Sequence, residues 1–445
     1  MRQDGQRQQE KITLPYIPVK IKFFICHGIA LLWVLFSIFL SLRWVEDLGR
    51  IITIPGAILV ITGLAYIPGY LNAFLISSLL FDRQPAYKID DPQVPVTLLI
   101  AAWNEEQGIA GTLRKVAAQN YAGQIRVILI DNNSTDLTAA TADTVGQELG
   151  LSLRILREER PGKHHALNRG LAEVETELVL TLDADTLMHK SAIQYIVKRM
   201  LSSPADVCAV AGTVLVRNSR ENYLAQMQEW DYFLAIASVK RLQGLYQQTL
   251  VAQGAFSLYK TEVVRATGGW PDVIGEDIVL TWQFLQAGYR VYFEPLSVAF
   301  TTVPVSLLHF ARQRSRWARG MIEGLKTVKP WEQPSIFAKY LTGVNLSMLL
   351  IDLAYTFAWI PGMFIAFFGI YWIVGPMSLL VLPITFLSFY LLYRYQRYVF
   401  RTLNLRVRRN IRGFILFTLF YQFLISPISV WGYAQEALKL KRVWK

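Results

Sequence analysis

Long apolar segments at both ends of the chain constrain its fold more than any other feature. Residues 21–42 are almost uncharged, residues 51–81 form a second apolar run, and further runs cover 341–393 and 411–433. The first two runs are each long enough to cross the roughly 30 Å hydrocarbon core of a bilayer as a helix. The sequence therefore predicts a polar middle segment held between two membrane regions.

The first apolar run also has features of a secretory signal, because Lys20 and Lys22 stand at its start. However, it exceeds a typical signal core, lacks an obvious small-residue cleavage site and is followed directly by the second apolar run. We therefore expect an uncleaved membrane anchor.

The positive charges indicate which side of the membrane the polar segments face. The formal net charge is +12, and seven arginines without any acid fill the connection before the last apolar run: Arg394, Arg397, Arg401, Arg406, Arg408, Arg409 and Arg412. The positive-inside rule makes this connection cytoplasmic. Two N-terminal spans return the chain to the cytoplasm, so residues 82–339 should be cytoplasmic too. Anionic lipid headgroups suit these arginines, and we expect no nucleic acid partner.

The number of spans has two solutions. Five spans follow if 341–374 crosses, 377–393 returns and the last run leaves, but this count places Lys439 and Lys441 outside, against the positive-inside rule. A broken, re-entrant last segment around Pro427 would resolve the conflict. Within the C-terminal region, Asp352 is a lone acid that must face protein or water. It either lines a path for a polymer or pairs with a neighbouring polar group.

Between the membrane regions, short β-branched apolar runs alternate with helical patterns. The predicted strands are 96–101, 125–130, 153–156, 178–182 and 207–214, and the predicted helices are 105–118, 137–149, 164–172 and 191–200. This alternation is typical of a mostly parallel sheet with helices on both faces. Ligands of such sheets bind at the carboxyl ends of the strands.

Polar side chains follow three of these strands at their carboxyl ends. Asn104 and Glu105 follow the first strand, Asp131 follows the second, and Asp183 and Asp185 follow the fourth. Taken singly, the first two groups are ordinary turn and helix-cap residues. Their shared position at one edge of one sheet favours a functional site.

The Asp183-x-Asp185 pattern predicts a metal site. Hard oxygen ligands at alternate positions suit Mg²⁺ or Mn²⁺, and such a cation neutralises a departing diphosphate. The remaining candidate ligands are two isolated cysteines and two adjacent histidines without a partner at ligand spacing: Cys26, Cys208, His164 and His165.

Three further motifs lie in the polar segment. They are Gly162-Lys163, Gly275-Glu276-Asp277 and, within a helical pattern over 306–325, Gln313-x-x-Arg316-Trp317. Their ordinary interpretations are a solvated turn, acidic residues in a first helical turn and an interfacial amphipathic helix.

Taken together, these motifs and the flanking apolar runs resemble the processive family 2 glycosyltransferases, which include cellulose, chitin, hyaluronan and poly-N-acetylglucosamine synthases. The resemblance covers 95–320 by motif. It implies an α/β domain of the GT-A type (Rossmann-like), located in the cytoplasm and inserted between transmembrane helices. Chain length and the two leading spans are most similar to poly-β-1,6-N-acetylglucosamine synthases.

The resemblance also implies roles for single residues. Donor binding falls to Asn104, Glu105, Asp131, Lys163, Asp183 and Arg316, metal binding to Asp183 and Asp185, and acceptor binding to Gly254, Gln313 and Trp317. Asp277 is the expected general base of an inverting transfer, with Glu276 supporting its position. Two positions depart from the family pattern: Asn132 stands where a second acid is common, and Gly275 opens a triplet that often reads Thr-Glu-Asp.

These implications give one overall expectation. Residues 1–81 form a membrane region with two transmembrane helices, 82–325 the cytoplasmic glycosyltransferase domain, 326–340 an interfacial segment and 341–445 a membrane region with about three transmembrane helices. The protein would extend a polysaccharide from a UDP-sugar, by resemblance UDP-N-acetylglucosamine, and export it across the plasma membrane. Expected partners are the donor, a growing glycan or lipid acceptor and membrane lipids, with room for an accessory membrane subunit.

Two competing interpretations stay open. A non-processive transferase would use the same donor site to place a single sugar on a lipid. A transporter or receptor with a nucleotide-binding domain would bind UDP-sugar without turnover, and it would give no role to Asp277 or to residues 313–317.

Overall fold

Two long apolar helices open the structure, a computed structural model that describes residues 17–375 and 381–441 apart from the side chains of 235–237, 381–382 and 384–385. α1 covers Val19–Ile52. The second long helix consists of α2 (Ile54–Ile61), a π-helical turn (Thr62–Tyr66) and α3 (Ile67–Leu80). The predictions made for 1–16, 376–380 and 442–445 lie outside the described residues.

An α/β domain follows α3. Its strands are β1 (Val96–Ala102), β2 (Ile125–Asp131), β3 (Ser152–Arg157), β4 (Leu178–Asp183), β5 (Leu187–Met188), β6 (Val207–Val216), β7 (Phe256–Lys260) and β8 (Arg290–Thr301). Its helices are α4 (Glu106–Ala117), α5 (Thr138–Glu148), α6 (Lys163–Leu171), α7 (Ala192–Ser202), α8 (Tyr223–Tyr232), α9 (Lys240–Leu245), α10 (Thr261–Ala266) and α11 (Glu276–Gln286), with a π-helical segment at Phe233–Val239. The predicted strands and helices are all present, and their ends differ from the prediction by at most two residues.

The eight strands form one mixed sheet in the order β3-β2-β1-β4-β7-β6-β8-β5. β1 to β4 pair in parallel, as the sequence predicts, but β7 runs antiparallel to both β4 and β6. The sheet is therefore mostly parallel, as predicted, with antiparallel pairs where β7 and β5 join it. The sequence missed β7 and β8 because Ser257 and Lys260 weaken the apolar pattern of β7 and Pro295 interrupts that of β8.

Strand register brings the polar strand ends to one edge of the sheet. Ala101 on β1 pairs with Asp183 on β4, and Ala102 pairs with Asp131 on β2. The central strands are buried on both faces, so their register is fixed by packing. As predicted, the acidic residues therefore meet at the carboxyl ends of β1, β2 and β4.

The two N-terminal helices share a hydrophobic core with the α/β domain. Phe23 of α1 and Phe74 of α3 pack against Tyr246, which follows α9. The Tyr246 hydroxyl lies 2.8 Å from Ser78 Oγ on α3. The domain is thus fixed against one end of these helices.

In the described part of the chain, five helices follow β8. They are α12 (Leu307–Thr327), α13 (Ile336–Ala354), α14 (Ile360–Ala366), α15 (Val381–Thr402) and α16 (Ile411–Ala437); a short 3₁₀ turn (Pro330–Glu332) precedes α13 and a π-helical turn (Tyr355–Trp359) joins α13 to α14. α12 matches the helical pattern predicted over 306–325, and Ser306 Oγ caps its first turn by accepting from the His309 amide.

Four helical stretches among the described residues are long and apolar enough to cross a membrane. They are Val19–Ile52, Ile54–Leu80, Ile336–Ala366 and Ile411–Ala437. α15 is not one of them, and it carries Arg394, Arg397 and Arg401.

The chain nevertheless returns toward the domain between α14 and the end of α15. Trp44 Nε1 donates to the Trp372 carbonyl at 3.0 Å, and Trp44 lies 21 residues beyond Phe23, or roughly 30 Å along α1 from the domain. The Tyr395 hydroxyl donates to the Leu79 carbonyl at the end of α3 next to the domain. Trp372 therefore lies near the end of α1 that is far from the domain, and Tyr395 lies near the end of α3 next to the domain.

The last helix does not point away from the domain. α16 runs alongside α12 and in the same direction: Tyr421 packs 6.0 Å from Phe310, and Glu436 forms an ion pair with Arg319 at 2.8 Å. Its N-terminal end is also held, because Trp230 Nε1 of α8 donates to the Asn410 carbonyl at 2.9 Å. α16 is one continuous helix through Pro427, so the break that was one of the two solutions for the span count is absent.

Asp352 makes polar contacts between α13 and α16. Its carboxylate accepts hydrogen bonds from Ser426 Oγ and from the Tyr433 hydroxyl, both at 2.7 Å. Of the two interpretations of this acid, pairing with neighbouring polar groups is the one that these contacts support.

Candidate active site

A lysine and an aspartate meet at the carboxyl edge of the sheet. Lys163, the first residue of α6, forms an ion pair with Asp183 at the end of β4. Burial by itself would lower the pKa of Lys163. The negative charges of Asp183 and Glu276 have the larger combined effect, and the pKa of Lys163 is raised. The glycine-lysine segment is thus part of the acidic cluster and not a solvated turn.

The acidic pair that begins α11 lies in the same cluster. The Gly254 amide donates to Asp277 Oδ2 at 3.3 Å, and a Cβ placed on Gly254 would lie 2.9 Å from Lys163 Nζ. A side chain at this position would therefore collide with the lysine. Burial, together with the charge of Asp277, raises the pKa of Glu276.

Asp185 lies two residues beyond the ion pair. It is close to two hydroxyl donors, Thr186 Oγ1 at 3.2 Å and Thr301 Oγ1 at 3.3 Å. Burial and the charge of Asp183 raise the pKa of Asp185. Two carboxylates at alternate positions beyond one strand fit a hard divalent cation, which would stabilise both anions.

Backbone contacts fix α12 against the start of α11. A Cβ placed on Gly275 would lie 2.8 Å from Gly320 Cα, so the two backbones touch. Glu323 Oε2 accepts from the Ile274 amide at 2.7 Å and from the Gly275 amide at 3.2 Å. This close approach explains why glycine stands before Glu276, where a threonine side chain would meet the backbone of α12.

Trp317 is held in place from one side. The Arg314 guanidinium lies 4.1 Å from the centroid of the Trp317 ring, and Arg314 is itself buried in an ion pair of 2.7 Å with Asp231. Tyr232 packs against the same ring at 6.1 Å. Trp317 stays 41% exposed, so one surface of a fixed aromatic ring faces outward.

The other two residues of this motif lie on the same helix. Gln313 Oε1 is buried without a hydrogen-bond partner among the described residues. The charge of Arg316 works against the raised pKa of Glu276, and Gly320, about one turn further along α12, touches the backbone of Gly275 next to the acidic pair. The structure thus brings the Gln-x-x-Arg-Trp helix to the cluster around Asp277.

The sequence of this same part of the chain matches a known protein family. The model of a glycosyltransferase-like family 2 matches residues 92–320, just over half of the chain and the part that holds the acidic cluster and α12. The chain belongs to this glycosyltransferase family. The enzyme class and the family expected from the motifs are therefore confirmed.

Curated relatives of this glycosyltransferase include poly-β-1,6-N-acetyl-D-glucosamine synthases. The protein of Staphylococcus aureus strain COL is 32% identical over 240 residues, which are 54% of this chain and 57% of the relative. The protein of Staphylococcus epidermidis is 30% identical over 257 residues, which are 57% of this chain and 61% of the relative. The matches thus span less than two thirds of these relatives.

A solved structure supports the fold. A mannosyltransferase from Pyrobaculum calidifontis, in complex with GDP-mannose and Mn²⁺, is similar with a TM-score of 0.54 and 18% identity, over 86% of this chain and 99% of that one. The expected GT-A-type fold flanked by apolar helices is therefore confirmed.

The remaining predicted donor residues make contacts within their own loops. Asn104 Oδ1 accepts from the Thr135 amide at 2.8 Å, and Asp131 Oδ1 accepts from the Ser134 amide at 3.1 Å. Glu105 donates its amide to Thr138 Oγ1 at 2.8 Å. In the glycosyltransferase these residues tie the β1 and β2 loops together at the sheet edge, which is the turn chemistry that the sequence also allowed.

Asn132 has a structural role that the sequence did not reveal. Its buried side chain donates to the carbonyls of Glu158 and Arg160 at 3.0 and 2.7 Å and accepts from the Gly162 amide at 2.8 Å. It therefore holds the loop that leads into Lys163. A second aspartate here would lack both donors, which gives a physical reason for the amide.

Replacing Asn132 with aspartate should weaken donor binding about 10- to 100-fold, because each buried carbonyl left without a donor costs about 1–3 kcal/mol and the Lys163 loop is released. Donor affinity, measured by titration of the purified enzyme with a UDP-sugar, checks this result. The matched control is Asn133→Asp at the exposed neighbouring position, for which we expect less than a twofold change. Equal effects of both changes would contradict the role assigned to Asn132.

A buried lysine supports the Gly254 loop. Lys240 donates to the Val251 carbonyl at 2.9 Å and to Gln253, whose Nε2 donates to the Gly212 carbonyl at 2.7 Å. Burial lowers the pKa of Lys240 to about 7. A lysine inside an apolar helical run was the sequence signal for this role.

The two adjacent histidines gain a partner that their spacing did not suggest. His164 Nε2 lies 3.3 Å from Asp272 Oδ1, and ligand atoms of His164, His165 and Asp272 lie within 4.8 Å of one another. Asp272 is distant in sequence, so the spacing around the histidines did not indicate it. The pairing of His164 with Asp272 holds the α6 N-terminus beside the segment that precedes α11.

Proposed function

We propose that the protein is a membrane-embedded inverting glycosyltransferase that extends a polysaccharide from a UDP-sugar and exports it. The observation that carries this proposal is the single cluster formed by Lys163 and Asp183 with Glu276, Asp277 and the helix of Arg316 and Trp317. This cluster offers groups suited to the donor phosphates, to a reacting hydroxyl and to an acceptor ring. The names of the staphylococcal relatives favour N-acetylglucosamine as the sugar.

The donor diphosphate binds beside the sheet edge in this proposal. Asp183 and Asp185 hold a divalent cation, Mg²⁺ or Mn²⁺, which when bound neutralises the charge of the diphosphate. Lys163 and Arg316 are two cations that act on the carboxylates of the acidic cluster. Their role is to bind phosphate oxygens, for which a lysine ammonium and a planar guanidinium are suited. Asn104, Glu105 and Asp131 shape the donor side of the pocket.

Asp277 acts as general base. The Gly254 amide and the Ile278 amide, at 3.3 and 2.9 Å, orient its two carboxylate oxygens. Asp277 takes the proton of the acceptor hydroxyl as that oxygen forms a bond to the anomeric carbon. The bond from this carbon to the diphosphate breaks on the opposite face, UDP leaves, and the configuration inverts.

Trp317 is the platform for the acceptor's terminal sugar. Its exposed ring offers a flat apolar surface, and Arg314 behind it prevents rotation. Gln313 and the Gly254 loop supply polar groups at the edge of the same space. This arrangement holds an acceptor hydroxyl on the side of Asp277.

A donor panel tests the proposal. Purified protein in lipid, with Mg²⁺ or Mn²⁺, is incubated with several UDP-sugars, and UDP release and product size are measured. We expect release with UDP-N-acetylglucosamine and a high-molecular-weight product. A product with a single sugar on lipid would replace polymer synthesis with lipid glycosylation. Binding without UDP release would contradict an enzymatic function.

We further propose that the α/β domain and both chain ends face the cytoplasm of the cell. α1, α2–α3 and α13–α14 cross the membrane, and the chain has crossed back to the domain side by Tyr395. α16 does not cross, because both of its ends are bound to the domain side, Asn410 by Trp230 of α8 and Glu436 by Arg319 of α12. This even number of crossings leaves Lys439 and Lys441 inside and removes the conflict with the positive-inside rule.

A single added cysteine should report this orientation. Both native cysteines are buried. We expect Phe367→Cys, at the far end of α14, to react with an impermeant maleimide in intact cells, and Lys439→Cys to react only after permeabilisation. Labelling of Lys439→Cys in intact cells would mean that α16 crosses the membrane.

A further inference from the structure

A large cavity lies away from the acidic cluster, between the domain and the C-terminal helices. Its volume is about 870 Å³, and its walls come from the ends of β6 and β8, from α8, from α15 and from the loop and first turn of α16. This volume is in the range of small-molecule sites. None of the roles proposed above uses this cavity.

One part of the wall is aromatic. Phe386, Phe389, Tyr390 and Tyr393 of α15 line it together with Phe414 of α16, and the Phe414 ring packs against Phe386 and Phe389 at 5.9 and 5.0 Å. Phe386 and Tyr390 are 50% and 55% exposed, so this part opens to the outer surface of the apolar helices. Apolar chains would be removed from water here.

The other part of the wall is basic. It contains Arg217, Arg406, Arg408 and Arg409. Among the residues that the structure describes, none of these guanidinium groups forms an ion pair with an acid. The acid of the lining, Glu229, is paired with Arg220 at 2.8 Å. The cavity is therefore positively charged at one end.

We propose that this cavity binds an anionic phospholipid, with the phosphate on the arginines and an acyl chain among the aromatic side chains. Guanidinium groups bind phosphate oxygens through paired charge-assisted hydrogen bonds. The charge at one end and the apolar wall at the other match the two halves of such a lipid. The inference rests on this wall and does not depend on the identity of the sugar.

The bound lipid would contact two elements that also reach the acidic cluster. Phe300 lines the cavity, and the next residue of β8, Thr301, lies 3.3 Å from Asp185. On α8, Trp230 lines the cavity, while its neighbour Asp231 holds Arg314 behind Trp317. The site is thus adjacent to the proposed donor and acceptor positions without overlapping their residues.

Photocrosslinking tests the proposal. The full chain, purified in detergent, is incubated with phosphatidylglycerol that carries a photoreactive acyl chain, and the attachment sites are mapped by mass spectrometry. We expect crosslinks in the peptides that contain 386–393 and 414, and at least tenfold less labelling with the corresponding phosphatidylcholine. Crosslinks spread evenly over the apolar helices, or equal labelling by the neutral lipid, would overturn the proposal.

Two triple variants with the same loss of charge make the test specific. Arg406→Ala, Arg408→Ala and Arg409→Ala together should reduce crosslinking at least tenfold. Arg394→Ala, Arg397→Ala and Arg401→Ala, which lie outside the lining, should change it less than twofold. Equal losses would show general attraction to the basic segment and overturn a defined site. Inorganic phosphate at millimolar concentration should not compete, since full competition would identify a phosphate site without a lipid.

Discussion

Asp277→Asn should abolish sugar transfer and leave UDP-sugar binding nearly unchanged. The amide cannot take the acceptor proton, and general-base catalysis contributes about 10²- to 10⁴-fold to rate, so we expect a loss of this size in kcat. The backbone contacts of Asp277 with Gly254 and Ile278 involve its two oxygens, one of which the amide retains. UDP release under saturating donor measures the rate, and equilibrium titration measures the affinity.

The matched control for this change is Glu262→Gln, which removes the charge of an exposed acid on α10. We expect it to keep full activity. If Asp277→Asn lost donor binding in parallel with transfer, the carboxylate would belong to the donor site and the base would lie elsewhere. Donor binding therefore separates the two assignments.

Asp185→Asn should reduce activity at least about a hundredfold at low metal concentration. The amide binds a divalent cation more weakly than the carboxylate does, and the bound cation would stabilise the charge of the diphosphate by several kcal/mol. Part of the activity should return at high Mn²⁺ or Mg²⁺. The wild-type protein should lose activity with a chelator and regain it on addition of either metal. The metal concentration for half-maximal UDP release is the measurement.

Asp143→Asn on the exposed face of α5 serves as the control for charge alone and should leave the metal requirement unchanged. Activity that survives chelation in both the wild type and Asp185→Asn would contradict a metal at Asp183 and Asp185. In that case Lys163 and Arg316 would have to stabilise the leaving diphosphate without a cation.

The central glycosyltransferase fold was largely predictable from local patterns. β1 to β4 and the helices between them follow from alternation of apolar runs and helical periodicity, since each segment has a single dominant pattern. β7 and β8 were not predictable in this way. Their pairing depends on long-range contacts, and Pro295 and the polar residues of β7 hide the period.

The residues of the candidate site also differ in whether local patterns or long-range contacts reveal them. Asp183, Asp185, Asp277 and Trp317 were found because each belongs to a short contiguous motif. Glu323, Arg314 with Asp231, and Lys240 were missed, since each acts on a motif residue through a contact that sequence spacing does not show. Asp272 was missed for the same reason.

The sequence by itself determined the family, the apolar ends and the motif residues, because these depend on composition and short spacings. The tertiary structure alone decided how these parts meet. It placed Lys163 on Asp183 and brought Gly275 against Gly320. It also laid α16 along α12, although the composition of α16 is that of a membrane span. Hydropathy measures how readily a helix enters hydrocarbon. The position of α16 depends instead on side-chain contacts at both of its ends, such as Glu436 with Arg319, and the two residues of each contact are far apart in the chain.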